Sequence, residues 1–130
     1  MRCNINTGQR AEQYIKDYFQ KKGVELIKKP RSEHGYDFRD KDSKIFIEVK
    51  GTTARNITDA LFRYFTNTEY EKARSCRKAK QDYQIHLVTG IGSNNIKHYK
   101  IPGKELLDKG RPEVSWWLPL KKDFRKYELP

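Results

Sequence analysis

Lys44-Ile45-Phe46-Ile47-Glu48-Val49-Lys50, stopped at Gly51, is the most informative stretch of this chain. Its β-branched and aromatic residues read as a strand. Side chains alternate across a strand, so Ile45, Ile47 and Val49 are expected to face the core, while Phe46, Glu48 and Lys50 share the other face. A carboxylate and an ammonium two residues apart then project side by side from a stiff support. Taken alone, Glu-x-Lys is a common tripeptide and reads as a solvated ion pair. Asp37 changes that. Residues 36–39 read as a short strand and 40–43 as a polar turn, which makes the two strands neighbours and brings Asp37 beside Glu48. Two converging carboxylates, with the carbonyl of Val49 between Glu48 and Lys50, form a hard oxygen-donor set suited to Mg²⁺. Such a cation polarises a phosphate and lowers the pKa of its bound water, and Lys50 is placed to orient that water or to stabilise developing charge.

Outward from this strand, Ala11, Tyr14, Ile15, Tyr18 and Phe19 follow the apolar spacing of an amphipathic helix. Asn6 or Thr7 can cap its start, and Gly23 ends it. Residues 24–28, 36–39 and 44–50 read as an antiparallel meander. Residues 61–65 read as a further short strand. Thr66 and Thr68 each have a Glu three residues on, so either can open a capping box for a basic helix running to about residue 81. Residues 84–89 and 96–101 read as two more strands around a Gly90-Ile91-Gly92-Ser93-Asn94-Asn95 turn, and 102–107 as a short helix. The resulting order, α-β-β-β-(β)-α-β-β, describes an α/β domain with a mixed sheet flanked by helices. One domain is expected over residues 1–130, with a core at about 7–101 and a C-terminal extension at 102–130.

The composition fits a folded domain with a polar surface. Sixteen aromatics (eight Tyr, six Phe, two Trp) are too many for a disordered chain. The net charge is +11, and both halves share it: residues 1–65 hold 14 basic and 9 acidic side chains, and residues 66–130 hold 14 and 8. A whole domain of this charge suits a polyanionic partner, nucleic acid being the commonest, although a merely basic surface is the plain alternative. Two cysteines, Cys3 and Cys76, build neither a disulfide framework nor a zinc motif. They fit a reducing compartment such as the cytoplasm. No apolar run is long enough to span a bilayer, and no signal core precedes the first helix, so neither membrane insertion nor secretion is expected.

Asp37 followed by Glu48-Val49-Lys50 resembles the PD-(D/E)XK nuclease signature, and Gly8-Gln9-Arg10-Ala11-Glu12 resembles the first helix of that superfamily. More narrowly, Gly35-Tyr36-Asp37-Phe38, Ile47-Glu48-Val49-Lys50-Gly51-Thr52 and Thr66-Asn67-Thr68-Glu69-Tyr70-Glu71-Lys72-Ala73 are similar to the C-terminal domain of NO VEIN-type proteins and to prokaryotic restriction or defence nuclease domains. Tyr36 stands where the superfamily motif has Pro. The resemblance implies a restriction-endonuclease-like αβββαβ core and a metal-dependent nuclease, most readily a DNA endonuclease. By the same resemblance Asp37 and Glu48 ligate Mg²⁺ or Mn²⁺ together with the Val49 carbonyl, Lys50 is the catalytic lysine, and Glu12 assists. A homodimer, a helicase or another defence-system partner is compatible with it. The other reading is a non-catalytic nucleic-acid-binding or protein-interaction module that keeps the fold.

Several residues carry two readings. Glu12 is either a site residue or an ordinary helix-flank carboxylate. Glu69 either caps a helix or joins the site. Arg10, Arg55, Arg63, Lys72 and Arg77 are candidate nucleic-acid contacts as a set, and Thr52 could bond a phosphate or simply end a strand. His34, His86 and His98 are scattered, with no metal-ligand spacing. The 90–95 turn lacks the third glycine of a dinucleotide loop and lies between strands. Trp116-Trp117-Leu118 either covers the core or forms a subunit interface.

Overall fold

The computed structural model describes residues 6–57, 64–112, 116–120 and 122–130. In chain order, α1 (Thr7–Lys21) leads into β1 (Ile27–Lys28), β2 (Phe38–Arg39) and β3 (Ile45–Gly51). Then come β4 (Tyr64–Phe65), α2 (Asn67–Lys78), β5 (Asp82–Thr89), β6 (Lys97–Pro102) and α3 (Gly103–Lys109). Two short strands, β7 (Arg111–Pro112) and β8 (Trp116–Trp117), and a closing 3-10 helix (Lys122–Tyr127) end the chain. The strand expected over 61–65 is seen only at Tyr64–Phe65; its first residues, and Arg63, lie outside the described residues.

Local sequence explains the element ends. The Asn6 side chain accepts the Gln9 amide while Gln9 returns a bond to Asn6, so the capping box of α1 falls on Asn6 and not Thr7. Thr66 and Glu69 do the same for α2. Gly23 takes φ +78° just beyond α1, a left-handed conformation that glycine adopts without strain. In the 40–43 turn the Asp40 carboxylate accepts the amides of Lys44 and Ile45 at 2.7 and 3.0 Å.

The main sheet has the order β1-β2-β3-β5-β6. β1, β2 and β3 form the expected antiparallel meander. β5 then lies parallel to β3, with Glu48 opposite Ile85 and Lys50 opposite Leu87, and β6 returns antiparallel. A parallel neighbour requires a crossover, and α2 supplies it. The sheet is therefore covered on both faces. On one side Ala11, Ile15 and Phe19 of α1 pack against Phe38, Ile47, Val49 and Val88. On the other, Ala73 and Cys76 of α2 meet Phe46, Tyr83, Ile85 and Leu87. This corrects the expectation of a single core face for β3: Phe46 and Glu48 are as buried as Ile47. The 102–130 segment closes the second core with Leu106, Leu118 and Phe124. Leu118 thus serves as core cover. Among the described residues, no helix is long and apolar enough to cross a membrane.

The histidines correct a second expectation. Val88 pairs with His98 across the β5–β6 hairpin, which puts His98 diagonal to His86 on one face of the sheet. Nδ1 of His86 and Nε2 of His98 are 2.7 Å apart, and His86 Nε2 reaches Gln84 Oε1 at 2.9 Å. Tyr18 and Phe19 meet the two rings edge-on. Burial lowers both imidazoles, His86 well below the usual range and His98 to about 4.

An imidazole whose pKa is lower folded than unfolded stabilises the protein fully above its unfolded pKa and loses that contribution as pH falls. The His98 shift corresponds to about 3 kcal/mol, lost between roughly pH 6.5 and 4. His98→Gln is therefore expected to narrow the difference in melting temperature between pH 7 and pH 4.5 relative to the wild-type chain. Thermal melts of both proteins at the two pH values check this, and an unchanged difference would show that His98 is not the group that titrates.

Candidate active site

The C-terminal end of β3 gathers side chains from four elements. Asp37 sits just before β2 and is held in the ladder by its own amide, which donates to the Ile47 carbonyl at 2.7 Å. The Val49 amide donates to Asp37 Oδ2, also at 2.7 Å. Glu48 and Lys50 project from the face that α2 covers, and the Lys50 ammonium lies 3.2 Å from Glu48 Oε2 and 3.2 Å from Glu69 Oε1. The Phe65 ring lies 4.8 Å below that ammonium. The pair is not a solvated one: Glu48 is only 5% exposed.

Glycines allow these close approaches. Gly35 has φ +91°, and a Cβ there would meet the Thr68 carbonyl oxygen at 2.5 Å. The loop before Asp37 therefore rests on the first turn of α2. Tyr83 fastens it from below, donating its hydroxyl to the Gly35 carbonyl at 2.8 Å. At Gly51 a Cβ would meet Ala11 Cβ at 2.5 Å, so the start of α1 presses on the end of β3.

The electrostatics follow from burial. Desolvation pushes the Glu48 carboxyl well above its usual range; Lys50 opposes this, and Asp37 and Glu69 add to it. Asp37 is raised by burial too, against the pull of the Val49 amide, with Glu12 pushing in the same direction as burial. Burial disfavours the Lys50 ammonium, yet Glu48 and Glu69 outweigh burial and raise it. Two carboxyl groups thus flank the ammonium and a third, Asp37, lies close enough to act on Glu48, an acidic cluster in a chain of net charge +11.

Glu12 contacts Lys28 in an ion pair and is close enough to act on Asp37. It therefore borders the cluster with its charge already paired. Glu69 combines both of its readings, since the oxygen that faces Lys50 also accepts the Thr66 amide at 3.0 Å. Lys72, one turn further along α2, covers the Phe46 ring at 4.0 Å and borders the same face. Arg10 and Arg55 are exposed. Arg77 pairs with Asp108 near α3, about 12 Å along the helix from Glu69, so it lies away from the cluster. Of the two readings of Thr52 the structure favours the strand-end turn: it is 2% exposed and its hydroxyl accepts the Ala54 amide. Tyr83 escaped the sequence reading, and it offered no signal before the register was known.

Among the described residues, no group of three or more His, Cys, Asp or Glu side chains could hold a metal ion. The donors available are two carboxylates and a main-chain carbonyl. That set does not suit zinc, but it fits Mg²⁺, which keeps several waters and takes few protein oxygens.

Removing one partner of a buried pair strands the other. Lys50→Met is expected to cost on the order of 3–5 kcal/mol at pH 7.5. Much of that loss should be recovered toward pH 5, because an acid with a raised folded pKa regains stability as it protonates. Glu48→Gln, which removes the buried charge, is expected to melt no lower than wild type. Melts of the two variants at both pH values check the pair of expectations.

Residues 7–101 match the family model for the C-terminal domain of the protein NO VEIN. No curated protein sequence matches the chain. Among solved structures, Archaeoglobus fulgidus Hjc, a Holliday junction resolvase from an archaeal hyperthermophile, superposes with a TM-score of 0.61 at 17% identity, covering 95% of this chain and 91% of that one. That likeness establishes the fold as restriction-endonuclease-like. The matched segment contains Asp37, Glu48, Lys50 and the capping box of α2, and the chain belongs to the NO VEIN C-terminal family.

Proposed function

We propose that the protein is a metal-dependent nuclease that hydrolyses phosphodiester bonds, with DNA the favoured substrate. The observation that carries this reading is the cluster at the end of β3: Asp37 bonded to the Val49 amide, with the buried Glu48 and the half-buried Lys50 beside it, in an otherwise basic protein. Converging carboxylates repel a polyanion unless a cation neutralises them, so simple binding gives no reason to place them there. Family and fold agree with the reading.

In this reading Asp37, Glu48 and the Val49 carbonyl hold Mg²⁺ or Mn²⁺. A divalent cation there supplies Lewis-acid charge and a water of lowered pKa. Lys50 presents its ammonium to the phosphate oxygens, where negative charge grows in the transition state. Glu69 gives Lys50 a second anionic partner, so that the ammonium stays oriented when Glu48 serves the cation. Glu12 and Lys28 set the charge beside Asp37. The surface cations Arg10, Arg55 and Lys72 contribute backbone attraction, which weakens steeply as salt rises. Cutting both strands of a duplex requires two such sites, hence a dimer or a partner.

The test is cleavage of labelled single- and double-stranded DNA and RNA with Mg²⁺, Mn²⁺ or EDTA. Cutting is expected only with metal, and Glu48→Ala and Lys50→Ala are each expected to lower it by at least about a hundredfold. Salt-sensitive binding with no cutting under any metal would favour the non-catalytic binding module.

A further inference from the structure

β3 and β5 are parallel, so the chain leaves both at the same edge of the sheet. The turn after β5 is tied directly to the segment after Lys50. The Thr52 amide donates to the Val88 carbonyl at 3.0 Å, the Ile91 amide to the Thr52 carbonyl at 3.1 Å, and the Gly90 amide to the Ala54 carbonyl at 2.8 Å. Inside the turn, the Ser93 hydroxyl donates to the Gly90 carbonyl at 2.7 Å and accepts the Asn95 amide at 3.1 Å. Gly90 has φ +69°, and a Cβ there would lie 2.2 Å from the Asn95 carbonyl oxygen. Backbone bonds, Ser93 and the buried Ile91 side chain therefore hold the turn in a fixed position relative to Lys50.

The remaining polar groups of the turn are unspent. Asn94 and Asn95 are exposed, and their side-chain amides bond to nothing among the described residues. Ile96, next in the chain, is 42% exposed, one of the few large apolar side chains at the surface. Gly92 is open, and a Cβ there would meet only the Arg10 guanidinium, at 3.6 Å. Arg10 is exposed in the first turn of α1 and makes no ion pair among the described residues. A free guanidinium thus lies beside Gly92 of the turn that carries two free amides and an apolar side chain, at the edge where β3 and β5 end.

We propose that residues 92–96 together with Arg10 form a nucleic-acid contact surface that grips the strand next to the cut site. This rests on the nuclease reading for the identity of the ligand. Arg10 takes a phosphate, the asparagines take phosphate, sugar or base edges, and Ile96 lies against a sugar or an exposed base. A preformed turn suits this role, because it orders little on binding.

The experiment compares wild type, Arg10→Ala, Asn94→Ala/Asn95→Ala and the charge-matched control Lys16→Ala, an exposed residue further along α1. Binding to a labelled DNA duplex is followed by fluorescence anisotropy in EDTA across a salt series, and cleavage separately with Mg²⁺. Arg10→Ala and the double asparagine variant are each expected to weaken binding about tenfold. Arg10→Ala should also reduce the salt slope by about one, whereas Lys16→Ala should change affinity less than about threefold. Unchanged affinity in both site variants would overturn the inference and leave the nuclease reading intact. A wild-type chain that does not bind DNA would overturn the inference as well. Weakened binding in the variants of a wild type that never cuts would uphold the contact surface and remove the nuclease reading alone.

Discussion

A carboxylate buried on the central strand is the constraint around which the rest of this structure is arranged. Glu48 sits among core residues, where an ion taken from water costs several kcal/mol unless partners compensate. Lys50 compensates from two residues along the same strand face, and Glu69 reaches the same ammonium from α2. Because Glu69 also completes the capping box, the start of the crossover helix and the charge on Lys50 are fixed by one oxygen. Asp37 is held just as firmly, with its amide in the ladder and its carboxylate on the Val49 amide.

The glycines belong to the same arrangement. Gly35 lets the Asp37 loop touch α2, and Gly51 lets α1 touch β3, each at a distance no other residue permits. Helices from both faces therefore converge with their N-terminal ends near the acidic cluster. An acidic, largely dehydrated cluster thus lies inside a chain whose net charge is +11. That division of charge is what joins fold to proposed chemistry.

Much of this was legible from the chain. The α1 stripe, the meander and the β5–β6 hairpin follow from local spacing and side-chain chemistry, as do the two candidate caps at each helix start and the approach of Asp37 to Glu48 across a four-residue turn. Other features needed contacts distant in sequence. His86 and His98 look unrelated along the chain and become neighbours only through the hairpin register. Thr52 keeps two readings along the chain until its burial and its bond to the Ala54 amide are seen, and the Lys28 partner of Glu12 comes from a distant strand.

Alternation along 44–50 determined by itself that Glu48 and Lys50 share a face and that Ile47 and Val49 oppose them, because the period of a strand is two. It did not determine what lies over the charged face. Only the tertiary structure decided that α2 covers it, burying Glu48, raising its carboxyl and giving Lys50 a second partner in Glu69. The physical reason is that a parallel β3–β5 pair demands a crossover, and the helix that makes it must lie on the sheet. Spacing along a strand is written locally, whereas desolvation depends on every element that arrives above it.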